Sequence, residues 1–476
     1  MSTFPIPANP ATRSQVLPVE VVDLIINQVM LQIPVIPSNA ANSADIPSLR
    51  HEYITRLLRS RSLGRTWNNA IIPLVFKNLR LTRDPETLGL IEMWSKCFLT
   101  PGLPQLCHPF LDGIWYTLPS FKSLPGTVLS CSTLSYACSI LPETAASLIN
   151  LCGPTLITLK LCFVEIVGFS PALTSAIHKI GNLQTLLIQG SGSPHIIHDH
   201  ESVKTLLEGT GSLKSLTIRF ASLPSLHLRQ GSLSNLTHFY ISCSRKNLCA
   251  AIDICREEER LIDTLELYPP SNPDLTAGVA FGLATALKVL FIISIPDRVP
   301  HGMRMHVFPN LKVLRSEYSN LEKENLKWFK WPMLETIEVL VATYWSGNRY
   351  WRTVLEGNHP ATFTVPPKLK HIVFTTPGSD QIRDPFLVDA FDVIGIKCHF
   401  LAPMNRVQIL CSHDKRLLHQ FVPVTTYTCH VIQSPTKPPT YAFVNRLLTT
   451  QHDFVNRAYH LAGPLAVRQS LWLMST

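Results

Sequence analysis

The sequence predicts an α/β solenoid, with parallel strands along one side, helices along the other, and the unit repeated through most of the chain. Three observations predict it. The phrase Leu213-x-x-Leu216-x-Ile218 recurs, and its last two apolar residues alternate with Thr217 and Arg219, the period-two pattern of a half-buried strand. Short runs with helical spacing of apolar residues separate the copies, as at 172–177, 202–207, 248–252 and 320–326. The first leucine position also recurs at Leu156, Leu183, Leu213, Leu236, Ile262, Leu287, Leu311, Leu334 and Leu369, at intervals of 27, 30, 23, 26, 25, 24, 23 and 35. A single half-buried strand cannot bury its apolar face alone, so neighbouring copies must stack on one another.

The bulk properties agree. A chain of 476 residues, 46% apolar and 16% charged, can bury an extensive core and is not composed like a disordered one. Its formal charge of +9 is concentrated, because Arg50, Arg56, Arg59, Arg61, Arg65, Lys77, Arg80 and Arg83 share their span with only one acidic residue, Glu52. That stretch suits a solvated basic helix meeting an acidic protein, and the expectation is a protein partner rather than nucleic acid or a membrane. The twelve cysteines form no C-x-x-C pair, and several, such as Cys162, Cys243 and Cys398, sit in apolar runs, where a reduced cysteine acts as a small hydrophobe. This favours a reducing, intracellular compartment, cytoplasmic or nuclear. No signal-peptide pattern is visible at the start, and the apolar run 289–293 is too short to span a bilayer.

In chain order, residues 1–16 read as a flexible tail. A helix is expected from Leu17-Pro18-Val19-Glu20, with Pro18 in the first turn and Glu20 and Asp23 near its positive end. Val21, Val22, Leu24, Ile25 and Ile26 place apolar residues round most of its circumference, so this helix is expected to be sandwiched. Residues 34–47, rich in Pro, Asn, Ser and Ala, read as a loop. Helical spacing resumes from Leu49 through Tyr53, Ile54, Leu57, Leu58 and Leu63 to Trp67, and a third element covers 69–81. Residues 82–125, with six prolines and Trp94 and Trp115, form a linker or an N-terminal cap. The repeats are expected over 126–400, and residues 401–476, beyond which the pattern fades, are unassigned apart from strand-like residues at 420–428 and a helix-like run at 441–448.

Two resemblances follow from these residues. Leu17-Pro18-x-Glu20 with the apolar helix behind it, Leu58-Arg59-Ser60-Arg61-Ser62-Leu63-Gly64-Arg65-Thr66-Trp67, and Leu74-Val75-Phe76-Lys77-Asn78-Leu79 together resemble an F-box over 17–81. The repeats over 126–400 resemble the leucine-rich-repeat superfamily, whose periods run about 20–29 residues. The position eight residues after each leucine anchor, where that superfamily keeps an asparagine, holds none here, so the repeats are irregular. The F-box resemblance implies a three-helix module that docks on a Skp-type adaptor and through it on a cullin, with Leu17, Pro18, Ile25, Leu63 and Trp67 as the adaptor-facing and helix-core positions. The chain would then be the substrate-recognition subunit of a cullin–RING ubiquitin ligase. The alternative is a repeat scaffold whose N-terminal helices only cap the solenoid.

Nothing in the sequence points to catalysis or to a cofactor. Phosphate-loop, dinucleotide, metalloprotease and nucleophile-elbow motifs are all missing. The sharpest chemical cluster, His195-Ile196-Ile197-His198-Asp199-His200, could supply metal ligands, but it precedes a helical run and reads better as a loop ending in an N-cap. No metal site is expected. Binding is what stacked repeats supply, and the residues alternating with the inward leucines are expected to form one continuous face for a protein substrate. They include Lys160, Arg219, Tyr240, Tyr268, Phe291, Arg315 and Glu338.

Overall fold

The structure, a computed structural model, describes residues 17–32, 42, 44–46, 49, 51–97, 105–117, 139–164, 166–190, 197–219, 223–242, 247–256, 261–268, 273–292, 295, 299–316, 326–344, 350–356, 364–375 and 383–401. The expected features at 1–16, 320–325 and 402–476 lie outside these residues, as do His195 and Cys243.

Three helices come first: α1 (Val19–Gln32), α2 (His51–Ser60) and α3 (Arg65–Lys77), with a 3-10 turn Arg61–Leu63 between the last two. Leu58 to Trp67 is therefore not one helix. Gly64 breaks it with φ +152°, a value residues with a Cβ rarely adopt. The helices share a small core of Val22, Ile26, Leu49, Leu57, Ile71 and Val75, with Leu17, Tyr53, Leu58 and Trp67 packed on its edge.

Alternating strands and helices follow. They are β1 (Arg80–Leu81), α4 (Asp84–Cys97), β2 (Phe110–Ile114), α5 (Pro142–Cys152), β3 (Thr158–Phe163), β4 (Ile166–Val167), α6 (Pro171–His178), β5 (Thr185–Gly190), β6 (Ile197–His198), α7 (His200–Glu208), β7 (Ser215–Arg219), β8 (His238–Ser242), α8 (Leu248–Arg256), β9 (Thr264–Tyr268), α9 (Pro273–Gly282), β10 (Val289–Ile292), α10 (His301–Arg304), β11 (Val313–Ser316), β12 (Val339–Thr343), α11 (Tyr350–Glu356), β13 (His371–Thr375), α12 (Pro385–Val393) and β14 (Lys397–Leu401). Twelve of these strands form one parallel sheet in the order β1-β2-β3-β5-β7-β8-β9-β10-β11-β12-β13-β14. Neighbours in the sheet are neighbours in the sequence, as a stacked repeat requires. The sheet takes in β1 and β2, so the strand ladder starts at the end of the stretch read as F-box-like, over 17–81, and runs on through the one read as a linker or cap, where α4 with β2 forms a repeat unit.

Strands β3, β5, β7, β8, β9, β10, β11 and β13 each begin two residues after their leucine anchors, Leu156, Leu183, Leu213, Leu236, Ile262, Leu287, Leu311 and Leu369, which are all buried. One anchor differs. β12 begins at Val339 and its anchor is Ile337, three residues past Leu334. Leu334 is also buried but belongs to the 3-10 turn Pro332–Leu334.

The missing exit asparagines have a counterpart at the strand starts. The residue before the anchor is Asn182, Asn235 or Asn310 in three repeats, and each Nδ2 donates to a carbonyl two residues before the preceding anchor, Pro154 (3.2 Å), Gly211 (2.8 Å) and Thr285 (2.7 Å). Ser212, also just before its anchor, bonds to the preceding anchor's own carbonyl instead, Ser212 Oγ donating to Leu183 O at 3.0 Å. One buried asparagine does serve a strand exit: Asn247 Nδ2 donates to Ser242 O at 2.6 Å, while its Oδ1 accepts from Leu223 N.

The sheet's leucine-bearing face packs on the helices through Leu159, Leu186, Leu216, Phe239, Leu265, Leu290, Leu314, Leu340 and Ile372. Cys162 and Cys398 lie in strands with their thiols pushed up to about 12, chiefly by burial, as inert cysteines are. Near the last repeats, Asp384 caps α12 by accepting from Phe386 N, and it also accepts from Tyr344 Oη (3.0 Å) and Arg352 Nη2 (2.9 Å). Burial pushes this carboxyl up, but the bonds from Arg352 and Tyr344 prevail and leave it below its ordinary value of 3.8. A carboxyl lowered on folding stabilises above its unfolded value, and that contribution vanishes as pH falls through the folded value. Asp384→Asn is therefore expected to lower the thermal midpoint at neutral pH and to flatten its decline through the acid range. Parallel pH profiles of wild type and variant would sink this expectation.

Among the described residues, no helix is long and apolar enough to cross a membrane.

Candidate interaction surfaces

The first surface lies on α1. Among the described side chains of α1, Val22 and Ile26 are buried in the three-helix core, whereas Val19, Val21, Leu24 and Val29 are exposed, Leu24 by 69%. The helix is thus not sandwiched, because its apolar circumference meets the other two helices on one side only. Val21 and Leu24, three residues apart, make an outward apolar pair, while Leu17, just ahead of the helix, is half-buried and packs on the core edge. Leu63 in the 3-10 turn is 54% exposed, and Pro18 is also exposed. Ile25 and Trp67 are half-buried, and Trp67 packs against the core edge. The basic residues Arg56, Arg59, Arg65 and Lys77 stand exposed nearby in sequence. A soluble helix that leaves so many large apolar side chains in water is unusual unless another molecule covers them. In the sequence, Val21 and Leu24 read as part of an apolar circumference rather than as partner-facing positions.

The second surface is the sheet face turned away from the helices, the inner face. The register aligns Phe110, Lys160, Leu187, Thr217, Tyr240, Glu266, Phe291, Arg315, Val341, Val373 and His399 as one row across eleven strands. Lys160, Tyr240, Phe291 and Arg315 are all in this row, as expected. Arg219 and Tyr268 lie two residues further along their strands, and Arg219 is half-buried. Glu338 departs from it. It precedes β12 by one residue, and its neighbours are Lys370 (3.3 Å) and Lys312 (3.7 Å) in the row of strand-start residues. Val341 occupies the place expected for it.

Most of the row is not open to solvent. Lys160, Thr217, Tyr240, Glu266, Phe291 and Arg315 are all buried. Over β3 and β7 the cover is partly the stretch read as a loop after the first helix. Asn42 Nδ2 donates to Thr217 Oγ1 at 3.1 Å, and Lys160 Nζ pairs with the Asp45 carboxylate and donates to Ile46 O. Burial holds the Lys160 ammonium below its ordinary value, and the attraction of Asp45 only partly opposes this.

Toward the centre, the polar groups serve one another. Ser215 Oγ lies 2.6 Å from His238 Nδ1, His238 Nε2 lies 3.1 Å from Glu266 Oε2, and Arg315 Nη1 lies 3.8 Å from Glu266 Oε1. The Arg315 guanidinium sits over the Phe291 ring, 4.9 Å from its centre. A serine, a histidine and a carboxylate in line invite comparison with a nucleophile and its base, but all three are buried. Their geometry is that of a buried polar chain within the sheet, held together by proximity at its Glu266 end, where His238 Nε2 and Arg315 Nη1 make no hydrogen bond of good geometry. Beyond it, Val289, Val313, Val339, Val341 and Val373 form an apolar patch. At the far end, His371 Nδ1 and His399 Nε2 are 3.2 Å apart, and His371 is lowered to about 4 by burial and then by His399 and Lys397.

In the histidine-rich stretch, Asp199 is the N-cap of α7, accepting from Ser202 N at 3.2 Å and from Tyr116 Oη at 2.7 Å. Burial, and after it the bond to Asp199 and that carboxylate's charge, push the Tyr116 hydroxyl well above its ordinary value. Among the described residues, which do not include His195, no group of three His, Cys, Asp or Glu side chains is placed to hold a metal ion.

No family model matches the chain, and no curated protein matches it.

Proposed function

We propose that this chain is a protein-recognition subunit of the F-box type. Its three N-terminal helices dock on a Skp-type adaptor and so on a cullin–RING ubiquitin ligase, and the strand array holds a protein substrate. The chain transfers nothing itself, and its mechanism is proximity, a raised effective concentration of substrate beside the ligase's charged partner. The observation that carries the reading is the exposed apolar pair Val21 and Leu24 on α1, with Leu63 exposed on the turn between α2 and α3. An apolar core with a charged rim is the usual anatomy of a protein interface, and the exposed arginines of α2 and α3 supply basic charge for an acidic partner.

Co-expression with a Skp-type adaptor is expected to give a stable complex. Leu24→Asp should weaken it at least ~10-fold without changing the fold, since surface substitutions usually shift stability by no more than about 0.5 kcal/mol. Leu17→Ala with Pro18→Ala should act in the same direction. A wild-type chain that fails to bind the adaptor removes the ligase reading.

One observation favours the scaffold alternative. Phe76, on α3, packs against both the three-helix core and the main repeat core, which suits a cap. Under that reading Leu24→Asp changes no partner, so the same measurement separates the two.

A further inference from the structure

We propose that His371 and His399, at the end of the inner face, form a two-imidazole binding site for a divalent transition-metal ion of the zinc, nickel and copper class. The inference stands apart from the ligase reading, and adaptor docking plays no part in it.

The two histidines are 28 residues apart in the chain, and the fold brings them together. Parallel pairing of β13 with β14 sets His371 opposite Lys397 and Val373 opposite His399. The two rings are therefore diagonal neighbours on one face of the sheet. Their centres lie 5.3 Å apart, and His371 Nδ1 is 3.2 Å from His399 Nε2. A zinc ion sits about 2.0–2.1 Å from each ligating imidazole nitrogen, and two such bonds at the tetrahedral angle hold their nitrogens about 3.3–3.4 Å apart. The pair is thus spaced as two ligands of one ion.

Both side chains project from strands rather than loops, which sets their separation before an ion arrives. An ion can also reach them. Lys160, Glu266 and Arg315 on the same face are buried, whereas His371 and His399 are half-buried, beside the strand that ends the sheet. In the metal-free protein one ring donates to the other across the 3.2 Å gap. Each imidazole has a second nitrogen, so the proton between the rings moves to an outer position and frees both inner lone pairs. The rings stay neutral in this exchange, and no proton is gained or lost.

The donor set selects the ion. Imidazole suits zinc, nickel and copper, whereas magnesium and calcium prefer oxygen. No third His, Cys, Asp or Glu completes a metal-holding group among the described residues, so water fills the remaining positions. Lys397 and Lys370 place positive charge near His371, and Glu338 places negative charge there. That balance opposes a dication, which makes this an exchangeable site rather than a structural one.

The test titrates the full-length protein with each metal ion alone. Copper(II) should bind tightest, nickel and zinc less tightly, and magnesium not at all. Because the chain has 18 histidines, the site is read as a difference from variants. His371→Gln and His399→Gln should each weaken the tightest equivalent at least ~10-fold, since a single ligand forfeits the gain of chelation. The double variant should lose no more than either single one. Wild-type binding by the single variants overturns the proposal. So does a double variant whose loss is the sum of two separate losses, as independent histidines would give. A readout without variants guards against misfolding: zinc should slow diethyl pyrocarbonate modification of His371 and His399 together in the unmutated chain. Protection of neither, or of one alone, overturns the two-ligand site.

Discussion

Glu266→Ala is expected to lower the unfolding free energy by ~3–5 kcal/mol, the usual cost of removing one partner from a buried charge pair. Glu266 is fully buried on β9, between Tyr240 and Phe291 in the row, and Arg315 reaches it across the Phe291 ring. Truncation takes away the carboxylate 3.8 Å from the buried guanidinium and the group 3.1 Å from His238 Nε2. The cost comes from removing one partner of a buried pair rather than from the worth of the pair. Glu266→Leu combined with Arg315→Met should accordingly recover most of it, because both replacements fit the apolar surroundings of Tyr240, Phe291 and the neighbouring valine patch. Denaturant titration followed by circular dichroism measures both. A single variant that costs under about 1 kcal/mol, or a double variant no better than the single, would contradict this account.

The contrast between this buried network and its appearance in the sequence shows what a sequence of this kind discloses. The strand phrase was legible because its signal is local. Leu213, Leu216 and Ile218 alternate with Thr217 within six residues, and the register confirms that Thr217 faces away from Leu216. The anchor of β12 was misplaced because Leu334 and Ile337 are both buried and differ by one helical step, so spacing alone favours neither. The stitching asparagines were written plainly as Gly181-Asn182-Leu183, Ser234-Asn235-Leu236 and Pro309-Asn310-Leu311, but they serve strand starts, and a search of strand exits passes over them. What covers the inner face was not legible. Asp45 meets Lys160 from 115 residues away and Asn42 meets Thr217 from 175, and no periodicity encodes a contact at that separation. The exposed pair on α1 was hidden for the opposite reason. An apolar helix with no partner in the chain has the same pattern as one that is covered, and only the packing of Val22 and Ile26 distinguishes the two sides.

The aromatic cluster of the last repeats carries the other large effect. Trp351 on α11 is buried, with ring centres 5.3 Å from Tyr350, 5.7 Å from Phe374, 5.8 Å from Phe391 and 6.1 Å from Trp328. Trp328 Nε1 donates to Tyr350 Oη at 3.0 Å, and Phe374 continues the cluster to Tyr344 and Phe400. One side chain thus joins helices α11 and α12 to strand β13, and through Phe374 to β14. Trp351→Ala removes that junction and leaves a cavity that close-packed neighbours refill only in part, at an expected cost of ~3–5 kcal/mol. Because each repeat contacts mainly its neighbours, the loss should stay local. Hydrogen exchange is expected to accelerate in β12, β13 and β14, while β3, β5 and β7 keep their protection. Uniform acceleration along the whole sheet would mean that the array unfolds as one cooperative unit, and the nearest-neighbour description would have to be given up.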